Sequence, residues 1–387
     1  MRVEILMTDE DMDCKCFSNI LMVAGGGKGN KSAANNQNKI ISILNEISYN
    51  IYLITSCDKG CTFHLEQNYI SYLPSYKNRI SLFFLTQINQ MKAIHHIVRS
   101  NDIDLILFVF GCDLNILPII YTKILGIKVV IRSDGRPTRI ISKYLGDKYK
   151  IKSFLFKLIE EINYRLVDRV FTECEYAKQD NDFEKYRKTD SAPLYVDKGQ
   201  FFLKKAFNER QFDVGYIGRF SEEKGIINFV KSIKMVKHNE NKLKIFIAGE
   251  GNLFTEMVKL IQTGKIQHNI TLHPWISPND LPDFFNEIKL IIMPSIKEGL
   301  PNIMLEAMAC GTPVLATPVG AIPDVIRDGE TGFIMEDNSP ECIARNVMRA
   351  LNDPHLEEVA ERGRAFVERE YTFEKVVERW RGILDAI

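Results

Sequence analysis

The chain has 387 residues, and its 50 Lys and Arg balance 50 Asp and Glu, so the formal charge is zero. Single cores rarely outgrow about 250–300 residues, so the length calls for two domains. The 45% hydrophobic and 26% charged fractions exclude a disordered chain, a collagen-like fibre and a multi-span membrane protein, and the zero balance argues against bulk nucleic-acid binding.

In chain order, the opening MRVEILMTDEDMDCKC turns acidic after six residues and has no apolar core. No secretory signal is expected from it, and residues 1–18 read as an extension or an edge strand. Asn19–Ala24 is the first strong strand candidate. A glycine-rich loop follows, Gly25-Gly26-Gly27-Lys28-Gly29-Asn30, then a helix over Ala33–Ile47 and a strand over Ile51–Thr55. Further strands are expected at Ser81–Leu85, Leu105–Phe110, Lys128–Ile131, Arg169–Thr172 and Pro193–Val196, with helices such as Ile88–Arg99 and Leu114–Leu125 between them. Strands alternating with helices predict a parallel sheet covered on both faces. The longest apolar region, Leu105–Ile131, contains Asp113, Asn115, Lys123 and Lys128, so it does not read as one membrane-spanning helix. The eight cysteines are scattered. Cys14 with Cys16 and Cys57 with Cys61 lack the spacing and partners of a zinc clip. No bound metal is expected, and free thiols in a reducing cytoplasm are the default.

The charge is uneven. Residues 1–199 hold 27 basic and 23 acidic side chains, and the remainder holds 23 and 27. The excess concentrates in Arg136–Arg169, with nine basic residues against four acidic. Within it, Lys148–Leu166 carries Phe154, Leu155, Leu158, Ile159, Ile162 and Leu166 at spacings of three and four. Two readings stand: a core helix with a solvated basic face, or a surface that leans on anionic lipid or an anionic acceptor.

The strand–helix pattern then restarts. Strands are expected at Phe212–Ile217, Leu243–Ala248, Ile270–His273, Leu290–Met293, Val314–Thr317 and Gly332–Met335, with a helix over Gly225–Val236. Helices close the chain at Pro340–Leu351, His355–Arg369 and Phe373–Ala386. Two such series predict two Rossmann-like domains facing a cleft. The expected division is residues 1–198 and 199–370, with 371–387 as a helix returning to the first domain. Ligands of open α/β sheets sit at the carboxyl ends of the strands, so the chemistry is sought in the loops there.

The stretch from Pro294 to Pro313 is the most informative. Pro301 suits the first turn of a helix, Gly311 its C′ position, and Pro313 blocks continuation. A helix that starts just after an apolar strand offers free N–H groups and a positive dipole end to a phosphate. Glu298 stands in the loop before it. Glu306 stands in the otherwise apolar run Ile-Met-Leu-Glu-Ala-Met-Ala, where a carboxylate needs a partner or a ligand. Earlier, Gly218-Arg219-Phe220-Ser221-Glu222-Glu223-Lys224-Gly225 is a glycine turn after a strand. Its two cations, Arg219 and Lys224, could hold a diphosphate.

The Glu298-x7-Glu306 spacing and the Gly218-Arg219…Lys224-Gly225 turn resemble retaining glycosyltransferases of the GT-B fold, family 4. Gly311-Thr312-Pro313-Val314, Gly320-Ala321-Ile322-Pro323-Asp324 and Asp328-Gly329-Glu330-Thr331-Gly332 extend the likeness over residues 212–340. The resemblance implies a metal-independent transfer from a nucleoside-diphosphate sugar with no cofactor beyond that donor. It implies Arg219 and Lys224 on the diphosphate, with Gly218 in their turn, and Glu306 on the ribose. It also implies Glu298 with Gly299, Leu300, Pro301 and Asn302 on the sugar and phosphates, Ile276 near the base, and the Gly25–Gly29 loop, with Gly26 and Gly27, closing over the diphosphate and the acceptor. The expected acceptor is a glycan or a lipid-linked molecule, in the cytoplasm or at the inner face of a membrane. Where many members carry a His, this chain reads Ile131-Arg132-Ser133-Asp134-Gly135-Arg136, which leaves Asp134 or Arg136 to face the acceptor, or Asp134 as a cap. Two rivals accompany the reading: a nucleotide-sugar epimerase on the same double fold, and a non-catalytic glycosyltransferase-like binding protein.

Overall fold

The computed structural model describes residues 15–25, 31–55, 70–72, 80–138, 150–186, 188–237 and 243–387. The chain divides into two compact units. One is Met1–Leu194 with Glu374–Ile387, and the other is Tyr195–Phe373.

The first unit is built on β1 (Phe17–Ala24), α1 (Lys31–Asn45), β2 (Ser48–Thr55), β3 (Ile70–Tyr72), α2 (Ile80–Ser100), β4 (Leu105–Val109), α3 (Ile116–Ile124), β5 (Lys128–Ser133), α4 (Lys150–Leu166), β6 (Arg169–Thr172), α5 (Glu175–Asp180) and β7 (Thr189–Ser191). Its seven described strands are all parallel, in the order β3-β2-β1-β4-β5-β6-β7. In β1, Met22 lies between Leu53 of β2 and Leu107 of β4. All five residues of β4 are buried, as a parallel strand covered on both faces requires.

Two expected strands are corrected here. Ser81–Leu85 is the start of α2. A short apolar run reads alike as strand and buried helix, and the spacing of buried Gln87, Gln90, Ile94 and Ile97 places it on a helical period. Pro193–Val196 is not a strand either. The last strand of the sheet is Thr189–Ser191, and Ala192 N donates to Thr172 O at 2.8 Å beyond it. Pro193 has no N–H to continue the ladder. Its carbonyl instead accepts from the indole of Trp380 at 2.9 Å. Trp380 is wholly buried and meets Phe171 edge to face at 5.5 Å. The residues before Lys15 and the glycine loop from Gly26 to Asn30, with Gly26 and Gly27, lie outside the described residues.

The second unit runs β8 (Val214–Ile217), α6 (Ile226–Lys237), β9 (Ile245–Ala248), α7 (Phe254–Thr263), β10 (Ile270–His273), α8 (Leu281–Asn286), β11 (Ile291–Met293), α9 (Asn302–Ala309), β12 (Val314–Ala316), α10 (Ile322–Val325), β13 (Phe333–Ile334), α11 (Pro340–Leu351) and α12 (Leu356–Glu370). Its six described strands are parallel and follow the order β10-β9-β8-β11-β12-β13. The core gathers strand residues such as Val214, Ile245 and Ile292 with Phe229 and Val230 of α6 and Ile343 and Val347 of α11. A last helix, α13 (Phe373–Leu384), carries Trp380 into the first unit.

One buried acid in the first unit carries a pH signature. Asp113 is 2% exposed in the turn after β4. Burial pushes its carboxyl up to about 6, although Ser133 and Tyr164 favour the ionised form by hydrogen bonding, and the Asp134 charge adds to the rise. The folded state therefore resists ionisation. That cost is absent below the unfolded value near 3.8, grows through about 6 and stays constant above. Two pH units correspond to about 3 kcal/mol. Asp113→Asn, which keeps an acceptor for Tyr164, should raise stability by about 1–3 kcal/mol at neutral pH and leave it unchanged near pH 4, measured by urea unfolding at both pH values.

Candidate functional site

In the second unit the strand order reverses beside β8. The chain leaves β8 for β9 and β10 on one side, then returns to lay β11 on the other. The loops after β8 and β11 flank this point, which is where open α/β sheets take their ligands. The turn Gly218–Gly225 follows β8, and Pro294–Pro301 follows β11.

These two loops are tied together. Lys224 Nζ donates to both carboxylate oxygens of Glu298 at 2.7 Å. Ser295 Oγ donates to Glu298 Oε1 at 2.6 Å, and Ile296 N donates to Glu223 O at 2.8 Å. The Glu298 side chain is 6% exposed and that of Lys224 is 23% exposed. The approach depends on Gly225, which has φ +71°, and a Cβ there would stand 2.1 Å from Pro294 O. From the other side, the loop after β12 braces the site, because Ala321 N donates to Gly299 O at 2.9 Å.

The helix α9 begins at Asn302, so Pro301 stands at the N-cap with ψ 113°, one position before the first turn expected for it. Its carbonyl already accepts from Met304 and Leu305. The first-turn N–H groups that a helix leaves without an intrahelical partner are then those of Asn302 and Ile303, beside Glu298. At the other end, Gly311 N donates to Met308 O and Thr312 N to Ala307 O, with Gly311 at φ +67°. This is the expected glycine C-cap in its Schellman form. Arg210, which the sequence did not mark, secures it. Its guanidinium reaches Cys310 O, Thr312 Oγ1 and Ile288 O at 2.7–3.1 Å, and burial lowers its pKa to about 10. A cation at a helix C-terminus is favourable, but no pattern in the sequence linked Arg210 to a helix a hundred residues away.

The remaining expected residues fall as follows. Glu306 is buried on α9, as are Leu300 and Pro301 before it, whereas Gly299 and Asn302 are half-buried. Ile276 is buried in the loop after β10, beside Trp275, which is exposed. Gly218 N donates to Ala248 O, and Tyr216 OH donates to Arg219 O at 2.8 Å. The Arg219 guanidinium, 70% exposed, pairs with Glu223 at 2.8 Å. It shares the loop with Lys224 but does not join the Lys224–Glu298 pair. The structure thus brings together Lys224, Glu298 and the start of α9. It adds Ser295 and Glu223, which the sequence showed as ordinary loop residues.

In the first unit, Arg136 does not face outward. It is buried, donates to Glu161 Oε1 at 2.7 Å and to Asn181 O at 2.5 Å, and lies over the rings of Phe183, Tyr164 and Tyr186. Burial opposes ionisation of Glu161, but hydrogen bonds from Arg136, Lys185 and Tyr186 outweigh it and hold its pKa at about 2. Arg136 is therefore a structural cation, and the expectation that it meets an acceptor is corrected. Asp134 is exposed and accepts from buried Arg132 at 2.5 Å.

The tie between the loops can be tested by stability. Gly225 and Gly329 have nearly the same φ, +71° and +72°, but a Cβ at Gly329 meets nothing within 4 Å. Gly329→Ala should cost about 1–2 kcal/mol, the left-handed backbone penalty alone. Gly225→Ala adds a backbone clash and should cost clearly more in urea unfolding. Equal costs would show that the loops part freely.

Residues 197–366 match the family model described as glycosyl transferases group 1. An uncharacterized glycosyltransferase of Methanocaldococcus jannaschii is 23% identical over 78% of this chain and 80% of that protein. The capsular polysaccharide biosynthesis glycosyltransferase CapM of Staphylococcus aureus is 31% identical over 42% of each chain, so that match spans less than half of the relative's length. Among solved structures, HepE of Anabaena in complex with UDP superposes with a TM-score of 0.75 at 15% identity, over 95% of this chain and 100% of that one. The same protein has been solved with UDP-glucose, with a TM-score of 0.74 at 15% identity, over 95% of this chain and 100% of that one. Residues 197–366 thus liken the second unit to a glycosyl transferases group 1 domain, and the chain has the GT-B fold.

Proposed function

We propose that this protein is a glycosyltransferase that moves a sugar from a nucleoside-diphosphate sugar to a glycan or lipid-linked acceptor, with retention of anomeric configuration and without a bound metal. The observation that carries the reading is the Lys224–Glu298 pair, set across the switch point of the second sheet at the start of α9. A cation, a carboxylate and helix N–H groups in one place suit a sugar joined to a diphosphate. The UDP and UDP-glucose bound by HepE, and the capsular polysaccharide work of CapM, support the donor class and the acceptor class.

In this mechanism Lys224 and Arg219 hold the diphosphate, with Asn302 N–H and Ile303 N–H beside it. As the bond from the anomeric carbon to the phosphate oxygen breaks, negative charge grows on that oxygen, and these groups offset it. The leaving diphosphate takes the proton of the acceptor hydroxyl. That hydroxyl oxygen bonds to the anomeric carbon on the face just vacated, so configuration is retained. Glu298, held by Lys224 and Ser295 before the donor arrives, accepts from sugar hydroxyls as Lys224 turns to phosphate. Glu306 takes the ribose diol, and Ile276 borders the base.

Loss of one charge-stabilising donor costs about 10²–10³ in turnover. Arg219→Ala combined with Lys224→Ala should therefore lower transfer by at least that much, and a wild-type rate would remove both from the diphosphate. Glu306→Ala should weaken UDP binding in calorimetry, and unchanged affinity would remove it from the ribose. Transfer should survive EDTA, and proton NMR of the product should show the donor's anomeric configuration. Strict metal dependence or an inverted product would overturn the mechanism.

A further inference from the structure

The geometry points to a second functional surface, on the first unit: the outer face of α2, α3 and α4 docks onto an anionic lipid bilayer. The three helices form one packed layer. His95 and Tyr121 bond between α2 and α3, and the rings of Phe83 and Phe156 meet at 5.5 Å between α2 and α4. Each helix has an inward side, carrying for example Ile94, Ile119 and Ile159. Each also shows an apolar pair to solvent at a spacing of four: Phe84 and Ile88, Ile120 and Ile124, Phe154 and Leu158. Residues four apart lie on one stripe of a helix. Ile124 is 77% exposed and Phe154 71%. Soluble surfaces rarely gather so many large apolar side chains on one face without a use for them.

The charges choose the partner. The segments of α2 and α3 contain no Asp or Glu. The two acids of α4 do not reach the face as free charges. Glu160 is fully buried, and Glu161 is bound by Arg136 and Lys185. Lys92, Lys157 and Arg165 are exposed among the apolar stripes. Two copies of such a face would set cation against cation. An anionic bilayer accepts both features. Apolar side chains enter the headgroup–acyl boundary, and cations meet lipid phosphates. The surface lies in the first unit and needs no nucleotide, so it goes beyond the donor reading and is tested apart from it.

Vesicles of mixed phosphatidylglycerol and phosphatidylcholine should sediment the full chain, and vesicles of phosphatidylcholine alone should not. Raising salt to about 0.5 M should reduce the bound fraction, because the electrostatic part is screened. Ile124→Glu with Phe154→Glu, both exposed, should lower partitioning about tenfold or more, while thermal melting and UDP binding stay at wild-type values. Lys92→Glu with Lys157→Glu should lower it as well. No sedimentation with anionic vesicles would overturn the proposal. So would sedimentation that neither double variant changes. A wild-type dimer in analytical ultracentrifugation that Ile124→Glu with Phe154→Glu dissociates would assign the face to a second copy instead.

Discussion

The second unit depends on two loops approaching each other where its sheet changes direction. Lys224 and Glu298 hold them with two 2.7 Å hydrogen bonds, and Gly225 allows the backbone of one to lie against the carbonyl of Pro294. A nearly buried carboxylate is costly unless it is paired and hydrogen-bonded. Glu298 meets that condition through Lys224 and Ser295. The two charges of the pair neutralise each other across the loops. Arg210 and the glycine cap fix the far end of α9, so the helix that borders the site is held at both ends.

The first unit uses its charges differently. Arg136, Glu161, Lys185 and Tyr186 form a closed network under aromatic rings, which holds Arg136 inside the first unit. Asp113 is buried close by, at an energetic cost. Among the described residues nearby, Asp134 is exposed and is steadied by Arg132. The basic excess of this half of the chain is therefore split. Part of it stabilises the interior, and part stands on the exposed helical layer of α2, α3 and α4.

Much of the architecture was legible without coordinates. Arg169–Thr172, Ile270–His273 and Pro340–Leu351 fall where periodicity and turn residues put them. Continuous apolar runs bounded by Gly, Asp and Pro mark buried parallel strands well. Each failure has its own local cause. Ser81–Leu85 is as apolar as a strand, and only the buried positions farther along α2 show the helical period. Pro193–Val196 follows a strand but cannot extend it, because proline lacks the donor. Pro301 was displaced by one position because helix ends are set by backbone angles that composition marks only loosely.

The site divides the same way. The sequence by itself determined which residue types were present: two carboxylates eight positions apart, two cations in a glycine turn, and a helix start after an apolar strand. These are local features, written into consecutive residues. Tertiary structure alone decided which of them meet. It paired Lys224 with Glu298 rather than leaving it open, turned Arg219 toward Glu223, drew Arg136 into the interior and brought Arg210 to the end of α9. Each of these contacts other than Arg219–Glu223 joins loops or helices from distant parts of the chain. Their partners are fixed by strand order and by the depth at which each charge is buried, and neither quantity is carried by a local run of residues.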